Sequence, residues 1–567
     1  MEVKNFENEL EVSASGGRIS SQPDTITTKE CLQMYCRVTY QLRKVKNKGA
    51  ILVLVWSFLV SSLANYLINT VLQSYHTFGM NSVLAIIAVM LPAAGWLADV
   101  RFGRYKIIRC SIWTMWISCM LLTVTNVVFS LVDFNDSKIH SIPIILLKIV
   151  MGFGLGGFQA VIVQFGVDQL NDASTTEITS FVAWYAWTLI SSNVTAIFIN
   201  MLTCIDSKYN LMGQLLITVC LTLVVCTNYL FSSHLIKEPV TQNPFKLIYK
   251  VVRYAIKTKH LRRRSAFTYW EDDPPSRMDF GKIKYGGPFT TEQVEDVKTF
   301  ISTFGIILIA SVLASMDFNF HINDFYTTYI TKLFGKHHTE NHFYYCFGNG
   351  KNFLTNIDTI FGLFLVPLNE FLIYPLLNRC VVIRIHWKIL LGTLFQLVGL
   401  IVLITLISYG RLQYIETNAL PHNYTLQCLF HENSNSLTND VIDYRWFVLV
   451  EFLLYVSSMM LTIGIIEFYC AQVPYTMKGL MAGIFYACLE LCVMFNYGLL
   501  RLFRRKSHIW ESNTTFNCGF WYLLTKIILV AITALILMLS IKYHKKRKRE
   551  DVLPNEHIFA EQYYSVQ

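Results

Sequence analysis

Three carboxylates stand within or at the ends of long apolar runs. They are Asp317 in ASMDFNFH, Asp358 in NIDTIFGLFLVPL and Glu467 in TIGIIEFYCAQVPYTMKG. An acid inside an apolar span is costly unless it is protonated, paired or set in a watered cavity. Each is therefore a candidate for holding a cation or exchanging a proton. The bland alternatives are a bond to a neighbouring helix for Glu467 and an interfacial aspartate for Asp317. Gln159 lies in GFGLGGFQAVIVQFGVDQL, where close glycines make a smooth helix face. Its amide either meets a solute or bonds to the next helix. Tyr185 and Trp187, in SFVAWYAWTLISSN, offer aromatic faces to a ligand or to packing. Glu370, Glu451 and Glu490 also lie in or at the ends of apolar runs, and no task is assigned to them. No metal-ligand cluster, nucleophile elbow or phosphate loop accompanies these groups, and the cysteines contain no C-x-x-C pair. An enzyme is disfavoured, and neither a metal nor a cofactor is expected.

A second group is charged and compact. In AAGWLADVRFGRYKII, residues 93–108, Gly95, Asp99, Arg101, Gly103, Arg104 and Lys106 share one short turn between two apolar runs. Lys and Arg gather in short cytoplasmic loops, and glycine lets two helices approach closely. Asp99 is expected at the positive N-terminal end of the following helix.

The elements that must position these groups are apolar spans. The chain is 53% hydrophobic and only 15% charged, with a mean hydropathy of +0.41. A soluble protein has nowhere to place that much apolar surface. Runs of about 20 residues, the length that crosses a bilayer, fall near 49–72, 81–98, 107–130, 142–165, 179–202, 211–232, 297–318, 354–377, 385–408, 444–468, 479–501 and 519–541. Residues 1–48 read as a disordered cytoplasmic tail, with no cleaved signal peptide expected ahead of the first span. The expected organisation is a six-helix bundle over 49–232, a cytoplasmic loop over 233–296, a second six-helix bundle over 297–541 and a basic cytoplasmic tail over 542–567. The net charge of +10 concentrates between spans and in KYHKKRKR, which reads as an orientation signal rather than a nucleic-acid surface.

Topology follows from two independent signals. With the N-terminus inside, the basic hairpins and the C-terminal tail face the cytoplasm. The sequons at Asn135, Asn423 and Asn513 all fall outside, as glycosylation requires. Cys204, Cys346, Cys428 and Cys518 share that outer side, where they either form one or two disulfides or remain free thiols. Within the central loop, Phe245, Ile248, Val251, Val252, Ala255 and Ile256 recur at helical spacing opposite Lys and Arg. The stretch Asn243–Arg264 is expected to be a helix lying on the anionic inner leaflet. The run Thr290-Thr291-x-x-Val294-Glu295 is expected to cap the seventh span.

Several of these stretches together resemble one family. W-L-A-D-x-x-x-G-R-Y-K at 96–106 is similar to the loop between the second and third helices of major facilitator transporters, in its proton-dependent oligopeptide transporter version. The stretch 152–170 resembles G-x-G-G-I-K-P-x-x-x-x-F-G-x-D-Q-F, VPLNEFLIYP at 366–375 resembles V-P-x-x-[DE]-x-x-[IL]-Y-P, and 465–481 resembles the E-F-x-Y-x-Q-A-P-x-x-M-K run. The central loop is similar to that of the animal peptide/histidine branch. The resemblance implies an all-α membrane protein with the major facilitator fold, twelve transmembrane helices in two six-helix bundles. It also implies alternating access around a midplane site. By the same resemblance Glu467 holds the substrate amino group, Asp358 stands at an amine-contacting asparagine, and Gln159 stands at a substrate-facing lysine. Asp317 stands at an acid of proton coupling or gating, and Tyr185 and Trp187 match part of an aromatic motif.

One motif departs from the family. Its E-x-x-E-R of the first span, which carries coupling protons and a carboxylate-binding arginine, falls on Phe58, Ser61 and Ser62. With Gln159 also neutral, the cavity is expected to be lined by acids without an aligned base, and to favour a net-cationic ligand over a zwitterionic peptide. The expected function is transport of small amine-bearing solutes, such as di- and tripeptides, histidine or related cationic compounds, by proton-coupled symport. The alternative is a transport-silent receptor or signalling scaffold that recruits cytosolic partners through 233–296. The expected partners are the solute, protons and the bilayer, with no nucleic acid, in a monomer or weak dimer. Tyr563-Tyr-Ser-Val566 fits a tyrosine-based endosomal sorting pattern. The expected site is the plasma membrane or an endosomal/lysosomal membrane.

Overall fold

A computed structural model describes residues 48–74, 78–132, 137–170, 175–205, 208–238, 240, 243–258, 276–316, 357–369, 385–417, 445–505 and 520–543. Apart from one isolated bridge between Lys282 and Phe289, all regular structure among them is helical. The first half contributes α1 (Lys48–Ser74), α2 (Phe78–Leu97), α3 (Arg104–Val132), α4 (Ser137–Asp168), α5 (Thr175–Ile205) and α6 (Lys208–Leu230). A short helix, α7 (Pro244–Lys257), precedes the second half. There follow α8 (Thr291–Met316), α9 (Ile357–Leu368), α10 (Ile385–Thr417), α11 (Arg445–Gln472), α12 (Lys478–Arg505) and α13 (Phe520–Tyr543). Each helix except α7 coincides with one expected apolar run. Hydrocarbon leaves a spanning backbone no water to bond, so such a run closes its hydrogen bonds within a helix. Eight of the helices are long and apolar enough to cross a membrane.

The surface agrees with that setting. Val89, Phe198, Leu216, Phe364 and Leu394 are exposed, whereas Trp56, Tyr185, Tyr469, Phe485 and Leu91 are fully buried. Hydrocarbon offers helices no hydrophobic drive to associate, so small residues and polar bridges do the joining. In the first half the Trp56 indole donates to Thr227 at 2.9 Å, linking α1 to α6. Asn126 donates to Gln214 at 2.7 Å, linking α3 to α6. Asn65 donates to Ser192 at 3.1 Å, linking α1 to α5. In the second half Gln396 of α10 donates to the Leu313 carbonyl of α8 at 2.9 Å.

The halves meet along two lines. α2 packs on α12, and α5 packs on α9, where the Trp187 indole donates to the Leu363 carbonyl at 3.3 Å. The closest approach is at Gly95, where a Cβ would strike the Gly479 carbonyl oxygen. The end of the bundle holding that contact also holds Arg101, Lys106 and Arg109, all exposed. It is called the basic face below.

The connection to the second half is ordered by its own polar groups. Asn243 caps α7 through the Phe245 and Lys246 amides, with Pro244 in the first turn. The apolar stripe expected on α7 splits. Pro244, Val251 and Ala255 are buried, while Phe245, Tyr249 and Ile256 are exposed beside Lys246, Lys250, Arg253 and Lys257. The correction has a local cause: Tyr254 packs edge-on against Phe289, 5.9 Å between centroids, and draws one edge of α7 onto the protein. Thr290 and Gln293 cap α8 reciprocally, each backbone amide bonding the other's side chain at 3.3 Å. Glu295, expected in that cap, instead accepts from Lys282 at 2.5 Å. Lys282 and Lys298 both also reach Asp279, at 2.5 Å for Lys282. Burial alone would raise the Asp279 carboxyl, but its bonds from Lys282, Lys298 and Ser276 hold it well below the usual carboxylate range.

Candidate functional site

The charged turn after α2 folds as a single wide helical turn, Ala98–Phe102, ended by Gly103 with φ of 81°. That φ suits glycine and lets the chain reverse into α3. The turn buries Asp99, and the direction it takes differs from the sequence expectation. Asp99 accepts from the backbone amide of Leu480 at 2.9 Å, so it caps α12 in the other half rather than the α3 that follows it. Gly479 makes room for this, since a Cβ there would press on the Asp99 carboxylate. Arg104 holds the acid from behind at 3.4 Å and binds Asp168, at the end of α4, at 2.5 Å. Burial pushes the Asp99 carboxyl up to about 6, although Arg104 and the Leu480 amide pull it down. Arg101 stays exposed, with its guanidinium over Phe102. Gly95 and Asp99 thus touch the other half at the basic face, while Gly103 and Arg104 shape and hold the turn that carries Asp99.

Glu467 is buried, and it is paired. Lys388 of α10 donates to both of its carboxylate oxygens, at 2.9 and 3.0 Å. The expectation of acids without a base therefore fails at this position. Lys388 reads in the sequence as one more orientation charge, yet it turns inward three residues after α10 begins. Glu467 lies five residues before α11 ends, and Lys388 lies at the matching start of α10. The pair thus occupies the helix-end layer of the second half.

Tyr185 is buried, and its hydroxyl lies 3.3 Å from that of Tyr486 on α12. Trp187 meets Trp184 edge-on while bonding α9. Both aromatics therefore tie the halves together in this conformation. Gln159 is partly exposed on α4 and makes no hydrogen bond among the described residues. At the departing motif, Ser62 donates to the Phe58 carbonyl within α1 at 2.8 Å, and Phe58 and Ser61 are half-buried. Asp358 is the second residue of α9, and its side chain lies outside the described residues, as does that of Cys204. Asp317, Glu370, Asn135, Asn423, Asn513, Cys346, Cys428 and Cys518 also lie outside them. Among the described residues no group of His, Cys, Asp and Glu could hold a metal ion. The residues that sequence reasoning missed are Lys388 and Tyr486. A basic residue inside the apolar window of α10 is the signal that could have flagged the first.

Two helical halves that meet along α2–α12 and α5–α9, with apolar outer sides, have the arrangement of the major facilitator fold. The comparisons with known proteins say which kind. The profile of the POT family (PTR2) matches residues 105–515. The chain is 22% identical to mouse (Mus musculus) solute carrier family 15 member 3 over 73% of its own length and 74% of that protein's. It is 24% identical to human (Homo sapiens) solute carrier family 15 member 5, over 38% of this chain and 37% of that protein. A solved POT family transporter in complex with 5-aminolevulinic acid shares the fold, with a TM-score of 0.54 and 12% identity. That match covers 88% of this chain and 97% of that one. The chain belongs to the POT family, and it is a multi-pass membrane transporter rather than an enzyme.

Proposed function

We propose that this chain carries small amine-bearing solutes across its membrane by alternating access, with protons as co-substrate. Di- and tripeptides, histidine and related cationic compounds form the substrate class. The observation that carries the reading is the contact between the halves, where α2 packs on α12 at the basic face and α5 packs on α9. It includes the amide-to-carboxylate bond at Asp99, the glycine–glycine approach at Gly95, the hydroxyl pair at Tyr185 and the Trp187 bond to the Leu363 carbonyl. A contact between two bundles at one end of the molecule is what rocking of the halves about a midplane site would break and remake. The 5-aminolevulinic acid held by the structural relative carries an amine, which supports the same solute class.

In this reading the basic face is cytoplasmic, both termini lie inside, and the membrane is the plasma membrane or an endosomal or lysosomal one. The exposed Phe245, Tyr249 and Ile256 of α7, flanked by bases, rest on anionic lipid. Asn135, Asn423 and Asn513 are glycosylated on the outer side. Asp317, Asp358 and Gln159 line the solute path. A flux assay in proteoliposomes with an imposed pH gradient tests the reading. Accumulation of alanyl-alanine, lysyl-alanine or histidine driven by inward protons supports it, and no flux of any of them removes it.

A second reading has its own observation. Lys388 pairs with Glu467, and the neutral Phe58, Ser61 and Ser62 stand where the family's first-span coupling acids and arginine would be. A receptor or scaffold of this fold would bind those solutes without moving them.

A further inference from the structure

Glu490 lies on α12 one turn beyond Tyr486, and the side of α12 it occupies is fixed by three contacts. Gly479 meets Asp99, Gly483 meets the backbone of Leu91 on α2, and Tyr486 meets Tyr185. At about 100° per residue Glu490 falls between Gly483 and Tyr486 on the helical wheel, at the centre of the side that faces the first half. Leu491 and Phe495, 53% and 55% exposed, mark the lipid side well away from it. Glu490 stands twelve residues into α12, roughly 18 Å from its start at about 1.5 Å per residue, near the middle of the membrane. Glu467, five residues from the end of α11, is much shallower.

Its surroundings differ from those of the acids that are paired with bases. Asp99 has Arg104, Asp279 has Lys282 and Lys298, and Glu467 has Lys388. Glu490 makes no ion pair or hydrogen bond among the described residues. α2, the helix opposite, carries no ionisable side chain from Phe78 to Leu97. α5 offers Thr188, Ser191 and Ser192 beyond Tyr185, hydroxyls that already donate to their own helix. An acid at this depth with no partner among the described residues is tolerated where it is protonated or where water or a ligand reaches it. A charged ligand group beside it gains from the low-dielectric walls.

We propose that Glu490 is the carboxylate that receives the positively charged group of the solute, at the floor of the path where the halves close. The proposal deepens the amine-transport reading and rests on it for the solute class. Glu467 then serves structure through Lys388, and the acid that selects the cargo is on α12.

The test is carbodiimide labelling with peptide-mapping mass spectrometry, run beside flux in the same proteoliposomes. Dicyclohexylcarbodiimide should modify Glu490 in the intact protein. Lysyl-alanine and histidine should protect it, while N-acetyl-alanine, which lacks an ammonium, should not. Glu490→Gln should cut lysyl-alanine uptake at least tenfold. Glu490→Asp, which keeps the charge, should retain a measurable part and guards against a folding defect in the first variant. Protection without flux in wild type supports the site and removes the transport reading. Equal uptake of lysyl-alanine by wild type and Glu490→Gln, or labelling that no ammonium solute slows, overturns the site and leaves transport standing.

Discussion

Two aspartates in this chain respond to protons in opposite senses, and each prediction follows from its surroundings. Asp99, raised from 3.8 to about 6, binds its proton more tightly in the closed layer than in water. Its contribution to the closed arrangement is therefore complete below about pH 4 and is lost as pH rises through 6. The thermal stability of wild type relative to Asp99→Asn should fall between about pH 4.5 and 7, and a flat difference would count against it. Asp279 is held low by Lys282, Lys298 and Ser276, so its contribution is present above the ordinary carboxylate range and disappears as pH falls below it. Protection from hydrogen exchange across 276–290, relative to the intrinsic rate at each pH, should be high near pH 6 and fall below about pH 4. Glu467 poses a test of charge balance. Glu467→Gln takes the carboxylate away from the buried Lys388 ammonium, which costs about 3–5 kcal/mol. Adding Lys388→Met should restore most of the lost Tm. That partner was not legible beforehand, because Lys388 lies 79 residues away on another helix and carries the same charge as an orientation signal.

At the scale of elements, the line where α2 meets α12 is set by backbone rather than by side chains. Gly95→Val places its Cβ on the Gly479 carbonyl, an overpacking that costs about 1–3 kcal/mol. The variant should fold, since α2 keeps its apolar faces. It should close poorly, and solute flux should drop roughly tenfold or more. Intact flux at wild-type expression would show that the approach is dispensable. The spans themselves were readable in the sequence, because hydrocarbon forces an apolar run into a helix whatever lies beside it. α7 was only half readable. Its periodicity gave a helix beginning where Asn243 and Pro244 cap it, but one amphipathic face cannot say which strip meets protein and which stays free. The aromatic contact with Phe289 decided that, and it comes from the far side of the loop.

For the whole molecule, composition and motif spacing were enough for the fold and the family, and the 105–515 match agrees with both. What stayed hidden was every pairing between halves: Asp99 with α12, Tyr185 with Tyr486, Trp187 with Leu363. Such pairings join residues hundreds of positions apart and leave no local periodicity to read. The Asp99 contact also has a consequence for how the protein is made. Its acceptor and donor are separated by 381 residues. A ribosome delivers the acid early and the helix start it will grip only near the end of translation. Through that interval Arg104, five residues on, is the partner within reach of the acid. The contact therefore waits for α12, and a nascent chain stalled before residue 478 has no helix start for Asp99 to cap.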